Sequence, residues 1–394
     1  MATQILTLNQ ISLKGLERLP RDCYEIASEF SHPDAILLRS HKLQPGDIPA
    51  SVVAIARAGA GVNNIPVIEC SKRGIPVFNT PGANANAVKE LVAAGLLLGS
   101  RGVMEGIGYV DTLAGMGDEA ELNRTLEAQK KQFKGSELVG KTLGVVGLGA
   151  IGSLVAEMAL TLGMDVVGYD PALSVEAAWR LSSQVRKADT LSALFARCDY
   201  ISLHLPVLDS TRGLINSELL GAVRPGTCLL NFARQEIVDE SALQQALDEG
   251  KLRKYISDFP SPRLIGRDDV ILTPHIGAST DEAEDNCAIM AAEQLRDFLE
   301  NGNIRNSVNF PALQLERVTG CRLSVTNNNV PKILGSVLAI LADQDINVID
   351  MLNKSRDEIA YNLIDVDTRP AENVLDKMRE LQGVINVRLI GDCV

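Results

Sequence analysis

Three glycines at fixed spacing, followed by an acid, mark the stretch of the chain best suited to bind a nucleotide. Residues 142–170 read TLGVVGLGAIGSLVAEMALTLGMDVVGYD, which predicts a strand, the turn Gly147-x-Gly149-x-x-Gly152, a helix and a second strand. The first glycine permits the tight turn, the second lets the backbone approach a pyrophosphate, and the third lets the helix pack on the strand. The helix N-terminus offers free N–H groups and partial positive charge to phosphates. The unit therefore predicts a dinucleotide site.

Asp170 ends the second strand of this unit and bears on the choice of dinucleotide. A carboxylate at this place can accept hydrogen bonds from the hydroxyls of the adenosine ribose, and it would repel a 2′-phosphate. The residue therefore favours NAD over NADP.

Three chemically active side chains follow later predicted strands. Arg234 in LLNFARQEIVDE, Asp258 in YISDFP and His275 in ILTPHIGAST each stand just past a strand end, where open α/β sheets bind ligands. Hydride transfer between NAD and a 2-hydroxy acid needs a base for the hydroxyl proton and a cation for the carboxylate and carbonyl. His275 and Arg234 have these chemistries, and a structural role for the imidazole is the alternative. For His204, in ISLHLP, we expect packing or a distant cofactor contact.

Cations and glycines near the N-terminus form a candidate anion site. LLRSH supplies Arg39 and Ser40, and IARAGAGVNNI supplies Arg57 and the loop Gly59, Ala60 and Gly61. Guanidinium groups beside exposed backbone N–H groups suit a carboxylate or a phosphate. Lys89, at the start of a predicted helix, is a further candidate cation. Surface arginines beside a turn and a solvated lysine are the alternative interpretation.

The elements that must position these residues form an α/β architecture of several segments. Short apolar strands and helices predict a small flavodoxin-like α/β substrate domain, first over residues 1–95. Apolar strands separated by helices predict a doubly wound, Rossmann-like parallel sheet over 96–281. TDEAEDNCAIMAAEQLRDFLENG predicts a long helix that returns the chain to the first domain over 282–310. A domain interrupted in this way predicts a cleft for a small substrate beside the cofactor.

The C-terminal part of the chain has its own pattern. The proline-containing, non-periodic segment 311–317 predicts a linker, and residues 318–394 predict strand, helix, two strands, helix and strand. This βαββαβ order is that of a ferredoxin-like module.

Composition narrows the class of protein. The 394 residues are 46% apolar and 22% charged, as in soluble globular proteins, and the net charge of −12 argues against general nucleic-acid binding. No apolar run reaches the ~18 residues of a membrane span, and the N-terminus lacks a basic leader. The cysteines are odd in number and scattered, so we expect reduced thiols, no metal and a cytoplasmic location. They are Cys23, Cys70, Cys198, Cys228, Cys287, Cys321 and Cys393.

Several motifs together resemble the D-isomer-specific 2-hydroxyacid dehydrogenase family over nearly the whole chain. They are GLGAIG with Asp170, NFARQEIVDE, TPHIGAST and GIPVFNTPGANANAVKE, and the C-terminal module resembles an ACT domain. The resemblance implies an NAD-dependent enzyme in which His275 is the acid/base and Arg234 holds the substrate. The combination with an ACT domain implies oxidation of D-3-phosphoglycerate to 3-phosphohydroxypyruvate, which opens serine biosynthesis.

The same resemblance implies which residues line the ligands. The cofactor would contact Gly147, Gly149, Ala150, Ile151, Gly152, Asp170, Ala233, Asp258, Gly277 and Ala278. The substrate carboxylate would bind backbone N–H groups of Gly59, Ala60 and Gly61, and its phosphate would bind Arg39, Ser40 and either Arg57 or Lys89.

Two departures from the family pattern lie near the catalytic residues. The family usually places a glutamate that orients and charges the histidine between the strand-end aspartate and a proline, but Asp258 is followed by Phe-Pro-Ser-Pro. A histidinium without this partner is less stabilised, so we expect the acid limb of activity at lower pH than in a glutamate-paired relative. Asp258 or another acid is the candidate replacement. Gln235 stands where a glycine usually follows the arginine, which predicts an altered local turn.

A third departure concerns the ACT-like module. Relatives usually have a glycine after the proline of the ligand loop, whereas Pro331 is followed by Lys332. Asn329 and Asn347 match positions where related ACT domains bind serine, and Asn327 stands where some relatives have histidine. Because the lysine side chain needs room, we expect weak serine inhibition at most. An ACT domain that only pairs subunits is the alternative.

Competing functions stay open at this point. A hydroxypyruvate or glyoxylate reductase would use the same chemistry, and an NAD-sensing corepressor-like protein would share the fold without turnover. The helix over 88–98 is too apolar for a solvated face, which predicts a homodimer or tetramer.

Overall fold

The protein's structure, a computed structural model, describes residues 2–318 and 321–391. It contains two compact units, Met1–Asn84 with Asp281–Val394, and Ala85–Thr280. The predicted boundary between residues 95 and 96 falls inside a helix that belongs wholly to the second unit. Cys393 lies outside the described residues.

The N-terminal part of the first unit is a parallel five-stranded sheet in the order β2-β1-β3-β4-β5. Its elements are β1 (Thr3–Leu8), α1 (Leu13–Leu16), β2 (Tyr24–Ala27), β3 (Ala35–Leu38), β4 (Ala54–Arg57), α2 (Val67–Lys72) and β5 (Val77–Phe78). This order is the flavodoxin-like one, so the predicted fold of the lobe is confirmed. The sequence motifs did not identify β1 as a strand, although it pairs with β2 and β3.

The second unit is built on a seven-stranded parallel sheet in the order β12-β11-β10-β9-β6-β7-β8. Its elements are α3 (Ala85–Ser100), α4 (Val103–Asp111), α5 (Glu119–Gln129), β6 (Thr142–Val146), α6 (Ala150–Thr161), β7 (Asp165–Tyr169), α7 (Val175–Arg180), β8 (Arg186–Lys187), α8 (Leu191–Phe195), β9 (Tyr200–Leu203), α9 (Ser217–Gly221), β10 (Thr227–Asn231), α10 (Glu240–Asp248), β11 (Leu252–Ser257) and β12 (Val270–Leu272). The strand order reverses between β6 and β9, which is where doubly wound sheets open a ligand crevice. The predicted Rossmann-like sheet is confirmed.

The chain then returns to the first unit. Its last elements are α11 (Asp281–Asn301), β13 (Cys321–Asn328), α12 (Ile333–Ala342), β14 (Val348–Arg356), β15 (Ile359–Val366), α13 (Glu372–Arg379) and β16 (Val384–Ile390). The four strands form an antiparallel sheet in the order β14-β15-β13-β16, with the predicted βαββαβ connectivity. One face packs on α12 and α13, whereas Tyr361, Leu363 and Ile390 on the other join the core of the N-terminal lobe and α11.

A buried ion pair fastens this sheet to the preceding segment. Arg322 and Asp365 are fully buried, with Nε to Oδ1 at 2.6 Å and Nη2 to Oδ2 at 2.8 Å. The same guanidinium donates to the carbonyls of Asn301, Leu315 and Glu316 at 2.8–3.0 Å. All five of its N–H groups are therefore engaged. Because Leu315 and Glu316 belong to the predicted linker, the linker is held against the module by these bonds.

No single described helix is long and apolar enough to cross a bilayer; α3 and α4 pass such a test only as a pair bent by 70°.

Candidate functional site

The glycine-rich turn between β6 and α6 has a different physical reason for each glycine. Gly147 has φ +90°, and a Cβ there would lie 2.4 Å from the carbonyl oxygen of His204. A Cβ on Gly152 would lie 1.9 Å from the carbonyl oxygen of Gly147. A Cβ on Gly149 would meet nothing within 4 Å. Packing therefore requires the first and third glycines, whereas the second borders open space at the start of α6, where a phosphate can approach.

Asp170 is fixed by its own loop at the end of β7. Its Oδ2 accepts from the backbone N–H of Leu148 at 2.8 Å, and its Oδ1 accepts from that of Ala172 at 2.9 Å. Each oxygen keeps acceptor capacity for a ribose hydroxyl. The residue lines a cavity of about 540 Å³ together with Leu148, Leu173 and Leu181. This is the right chemistry for the adenosine end of NAD.

Arg234 follows β10 on a turn that a buried asparagine builds. Asn231 donates from Nδ2 to the carbonyl of Arg234 at 2.9 Å and accepts the N–H of Ala233 at Oδ1, 3.2 Å. A 3₁₀ turn begins at Gln235. The guanidinium is exposed, donates to the carbonyl of Ala233 at 2.6 Å, and forms no ion pair within the described part of the chain. It is thus a cation available to an anionic ligand.

Asp258 holds the loop that carries His275. This carboxylate is only 2% exposed, and it accepts from Thr273 Oγ1 at 2.6 Å, from the N–H of Ile276 at 2.8 Å and from the N–H of Gly277 at 2.7 Å. The backbone N–H of His275 donates to the carbonyl of Asp258 at 3.0 Å. These bonds keep His275 in the left-handed region at φ +59°, a conformation that a non-glycine residue adopts at a cost.

The imidazole of His275 has no carboxylate partner among the described residues. Its described ring contact is with Phe259, edge to face at 5.0 Å between centroids. The candidate replacement, Asp258, directs both oxygens to the loop instead of to the ring. Asp258 is therefore a positioning residue for the loop.

Strand register brings these side chains to one edge of one sheet. Arg234, Asp258 and His275 follow the neighbouring strands β10, β11 and β12, and the glycine turn and Asp170 follow β6 and β7. The paired strand ends are Asn231 with Ser257, Ser257 with Leu272, Asn231 with Leu203, Val146 with Leu203, and Val146 with Tyr169. The carboxyl edge of this unit therefore presents a nucleotide turn, an arginine and a histidine together.

His204 follows β9 at the same edge. Its ring Nε2 lies 2.8 Å from Ser202 Oγ, and its ring Nδ1 is buried without a partner among the described residues. Its backbone N–H donates to the carbonyl of Val146 at 2.7 Å. Burial lowers the pKa of this imidazole from 6.5 to about 3, so the ring is neutral.

The first unit presents the loop Gly59–Gly61 with its carbonyls engaged. Gly59 accepts from the N–H of Thr80 at 3.1 Å, Ala60 accepts from Asn79 Nδ2 at 2.6 Å, and Gly61 accepts from Arg57 Nη1. The N–H groups of Ala60 and Gly61 donate to no protein acceptor in the described ranges. Two neighbouring donors in a half-buried loop are suited to a carboxylate.

The other predicted anion ligands differ in their surroundings. Arg39 Nη2 lies 2.5 Å from Glu284 Oε1, and Ser40 is exposed with its N–H donated to Asn9 Oδ1 at 3.0 Å. Lys89 belongs to the other unit and donates to Asn86 Oδ1 at 2.5 Å. The sequence motifs did not identify Asn231 or Glu284 as site residues. Asn231 could have been recognised as a polar residue at the end of an apolar strand.

The ACT-like module shows how a lysine replaces the expected glycine. Lys332 is exposed, has φ +80° and precedes α12 without a side-chain capping bond. Asn329 donates from Nδ2 to the carbonyl of Asp357 at 3.2 Å, and the N–H of Asn347 donates to Asp367 Oδ1 at 3.1 Å. The backbone has a left-handed geometry that favours glycine, although the residue is a lysine.

Comparison with known proteins agrees with this geometry. Residues 112–277 match the family model described as D-isomer specific 2-hydroxyacid dehydrogenase, NAD binding domain. The D-3-phosphoglycerate dehydrogenase of Haemophilus influenzae is 35% identical over 352 residues, which cover 86% of this chain and 81% of that protein. The enzyme of the same name from Escherichia coli K12 is 34% identical over 354 residues, covering 86% and 82%.

A solved structure supports the same relationship. The NAD-bound 3-phosphoglycerate dehydrogenase of Entamoeba histolytica has 29% sequence identity, covers 78% of this chain and 99% of its own, and gives a TM-score of 0.61. The chain therefore belongs to the D-isomer specific 2-hydroxyacid dehydrogenase family and carries that family's NAD-binding domain.

Proposed function

We propose that the protein oxidises D-3-phosphoglycerate to 3-phosphohydroxypyruvate with NAD, the first step of L-serine biosynthesis. The observation that carries this proposal is the common sheet edge shared by the glycine turn, Asp170, Arg234 and His275. Relatives named D-3-phosphoglycerate dehydrogenase support the choice of substrate.

The proposed reaction divides the work between two side chains. NAD, when bound, supplies the acceptor for the hydride that leaves C2 of the substrate. His275 takes the proton of the C2 hydroxyl, so that the alcohol becomes a ketone and the products are the keto acid, NADH and a proton. Arg234 binds the carboxylate and polarises the developing carbonyl. Asp258 keeps the His275 loop in place through the three hydrogen bonds described above.

Substrate anions would bind the first unit. The N–H groups of Ala60 and Gly61 suit the carboxylate because the protein leaves them without acceptors in the described ranges. The phosphate would bind Arg39 and Ser40, with Arg57 or Lys89 as a further cation. Arg57 has a structural task as well, since it donates to the carbonyls of Arg39 and Gly61.

The decisive assay compares NADH oxidation with 3-phosphohydroxypyruvate and with unphosphorylated hydroxypyruvate. We expect kcat/KM to favour the phosphorylated acid at least ~100-fold, about 2.7 kcal/mol of transition-state binding. Comparable values would indicate a hydroxypyruvate or glyoxylate reductase instead. No turnover with either acid would favour the NAD-sensing alternative.

A binding measurement separates catalysis from cofactor recognition. The single tryptophan, Trp179, is exposed on α7, next to Ala178, which lines the cavity beside Asp170. Energy transfer from Trp179 to NADH therefore reports binding without turnover. His275→Asn should keep this signal while kcat falls ~100-fold or more, as expected for loss of a general base.

We expect self-association, with apolar side chains of α4 as well as α3 available for it. Leu97 of α3 is 50% exposed, whereas Val88, Val92 and Leu96 of the same helix are buried within their own unit. On α4, by contrast, Val103, Met104, Ile107 and Val110 are 41–55% exposed. A homodimer would cover this face, and Ile107→Asp should shift the mass measured by light scattering toward the monomer.

The ACT-like module should bind serine weakly. Lys332 stands at the predicted ligand loop, and the Asn329 side chain is engaged by Asp357. Calorimetric titration of serine should show no tight binding. Tight binding would contradict this proposal.

A cytoplasmic location is a further prediction, which cell fractionation can check.

A further inference from the structure

Arg39, which we place at the substrate phosphate, is already paired with a carboxylate. Its Nη2 lies 2.5 Å from Oε1 of Glu284, and the two side chains are 40% and 42% exposed. The pair is therefore accessible to a dissolved anion. A phosphate that binds Nη2 of Arg39 must compete with Glu284 for it.

The backbones on both sides of this pair are fixed. The carbonyl of Arg39 accepts from Arg57 Nε at 2.9 Å and from Asn64 Nδ2 at 3.2 Å. Glu284 lies in the first turn of α11, whose Ala288, Ala291 and Ala292 are buried in the core of the lobe. Only the side-chain ends can rearrange, so exchange of Glu284 for a phosphate does not require the lobe to refold.

The charge of Glu284 affects which phosphate-bearing ligands can bind beside Arg39. Arg39 and Arg57 contribute two positive charges, and Glu284 removes one of them. A phosphate dianion is repelled by the carboxylate and must displace it to reach Nη2 of Arg39. A ligand that also binds the N–H groups of Ala60 and Gly61 gains a second set of contacts, whereas inorganic phosphate gains none.

We infer that Glu284 is a specificity-determining residue, a competing carboxylate that holds Arg39 until a substrate bearing both a carboxylate and a phosphate displaces it. This inference rests on the proposed function, because it assigns the displacing group to the substrate. Glu284 acts through Arg39 and takes no part in proton or hydride transfer.

The test compares Glu284→Gln with wild type on two keto acids. The KM for 3-phosphohydroxypyruvate should fall about three- to tenfold, the range expected when one half-exposed charge no longer opposes a near-dianion. The KM for unphosphorylated hydroxypyruvate should stay unchanged. Inorganic phosphate should also become a stronger competitive inhibitor, because Glu284 no longer competes with it for Nη2 of Arg39.

Glu282→Gln is the matched control. Glu282 lies two residues away on the same exposed turn of α11, and it makes no ion pair within the described ranges. Glu282→Gln makes the same change of charge as Glu284→Gln, but at a residue that does not contact Arg39. Its KM values should therefore equal those of wild type. In an Arg39→Gln background, Glu284→Gln should lower KM less than it does in wild type, because only the direct repulsion between carboxylate and phosphate is left to remove.

Several outcomes would overturn the inference. An unchanged or higher KM for the phosphorylated acid in Glu284→Gln would show that the carboxylate only positions Arg39. An equal fall for both keto acids, or an equal effect of Glu282→Gln, would show a general charge effect. A wild-type protein that turns over neither acid contradicts the proposed function, and the inference falls with it; normal wild-type turnover with unaltered selectivity in Glu284→Gln overturns the inference alone.

Discussion

Two strand-to-helix turns of this protein use left-handed backbone in different ways. At the turn from β6 to α6, Gly147 has φ +90° and a Cβ would lie 2.4 Å from the carbonyl oxygen of His204. At the turn from β13 to α12, Lys332 has φ +80° and its side chain is exposed to solvent. Similar backbone angles thus carry a glycine in one place and a lysine in the other.

The difference shows that φ alone does not decide where a glycine is needed. A left-handed L-residue is disfavoured by roughly 1–2 kcal/mol, which a folded protein can accommodate. A Cβ inside the contact distance of a backbone oxygen has no such remedy, because backbone atoms cannot move without disturbing the sheet. The nucleotide turn is therefore constrained by its neighbours, and the turn of the ACT-like module only by its own dihedral angles.

Gly152→Ala should have the largest effect. Its Cβ would lie 1.9 Å from the carbonyl oxygen of Gly147. We expect the free energy of unfolding to fall by about 3 kcal/mol, measured by urea denaturation, together with loss of NADH binding. Gly149→Ala is the control, because its Cβ meets nothing within 4 Å. That variant should unfold like wild type and bind NADH less well, since the methyl group enters the space for the cofactor. Wild-type stability of Gly152→Ala would contradict this account.

Asp258→Asn tests how the left-handed His275 is held. The amide can accept on one oxygen only, and its N–H₂ group would face the N–H groups of Ile276 or Gly277. We expect a loss of about 2 kcal/mol in stability and a roughly 10- to 100-fold lower kcat from the misplaced loop. Both limbs of the pH profile should keep their positions, because the carboxylate does not contact the imidazole. A shifted acid limb would show instead that Asp258 charges His275.

His204 makes the packing around Gly147 sensitive to pH. Because burial lowers the pKa of its imidazole to about 3 from 6.5, protons bind the unfolded chain more readily than the folded one. Stability should be complete above pH 6.5 and should decline below it, by about 1 kcal/mol between pH 6.5 and 5.5 from this residue. His204→Gln should flatten the curve of unfolding free energy against pH by this amount. Parallel curves for the two proteins would refute the assignment.

Lys332→Gly should have the smallest effect and the opposite sign. Glycine adopts φ +80° without steric penalty, but it also gains freedom in the unfolded chain. We expect a net stabilisation of about 0.5 kcal/mol in urea denaturation. Lys332→Ala removes the same charge and keeps the Cβ, so it should not stabilise the protein. Equal stabilisation by both variants would point to the lysine charge rather than to the backbone.

Local patterns predicted the secondary structure well where one element carries its own signal. The glycine turn, the apolar strands of the second unit and the βαββαβ order of the C-terminal module all follow from nearest neighbours in the chain. The sequence motifs did not identify β1 because TQILTL is neither a strict alternation nor a continuous apolar run, yet pairing with β2 and β3 places Ile5 in the core. The sequence does not show which apolar side chains of α3 the unit itself covers: Val88, Val92 and Leu96 are buried within it, whereas Leu97 is 50% exposed.

The residue types by themselves determined the chemistry of this protein: a nucleotide turn with an acid for NAD, an arginine for an anion and a histidine for a proton. These follow from side-chain chemistry and from spacing along one chain segment. Only the tertiary structure decided which partners each group has. Asp258 binds the loop of His275 rather than its ring, and Glu284 pairs with Arg39 from more than two hundred residues away in the chain. Such contacts depend on strand order and helix packing, which bring together residues that no local pattern connects.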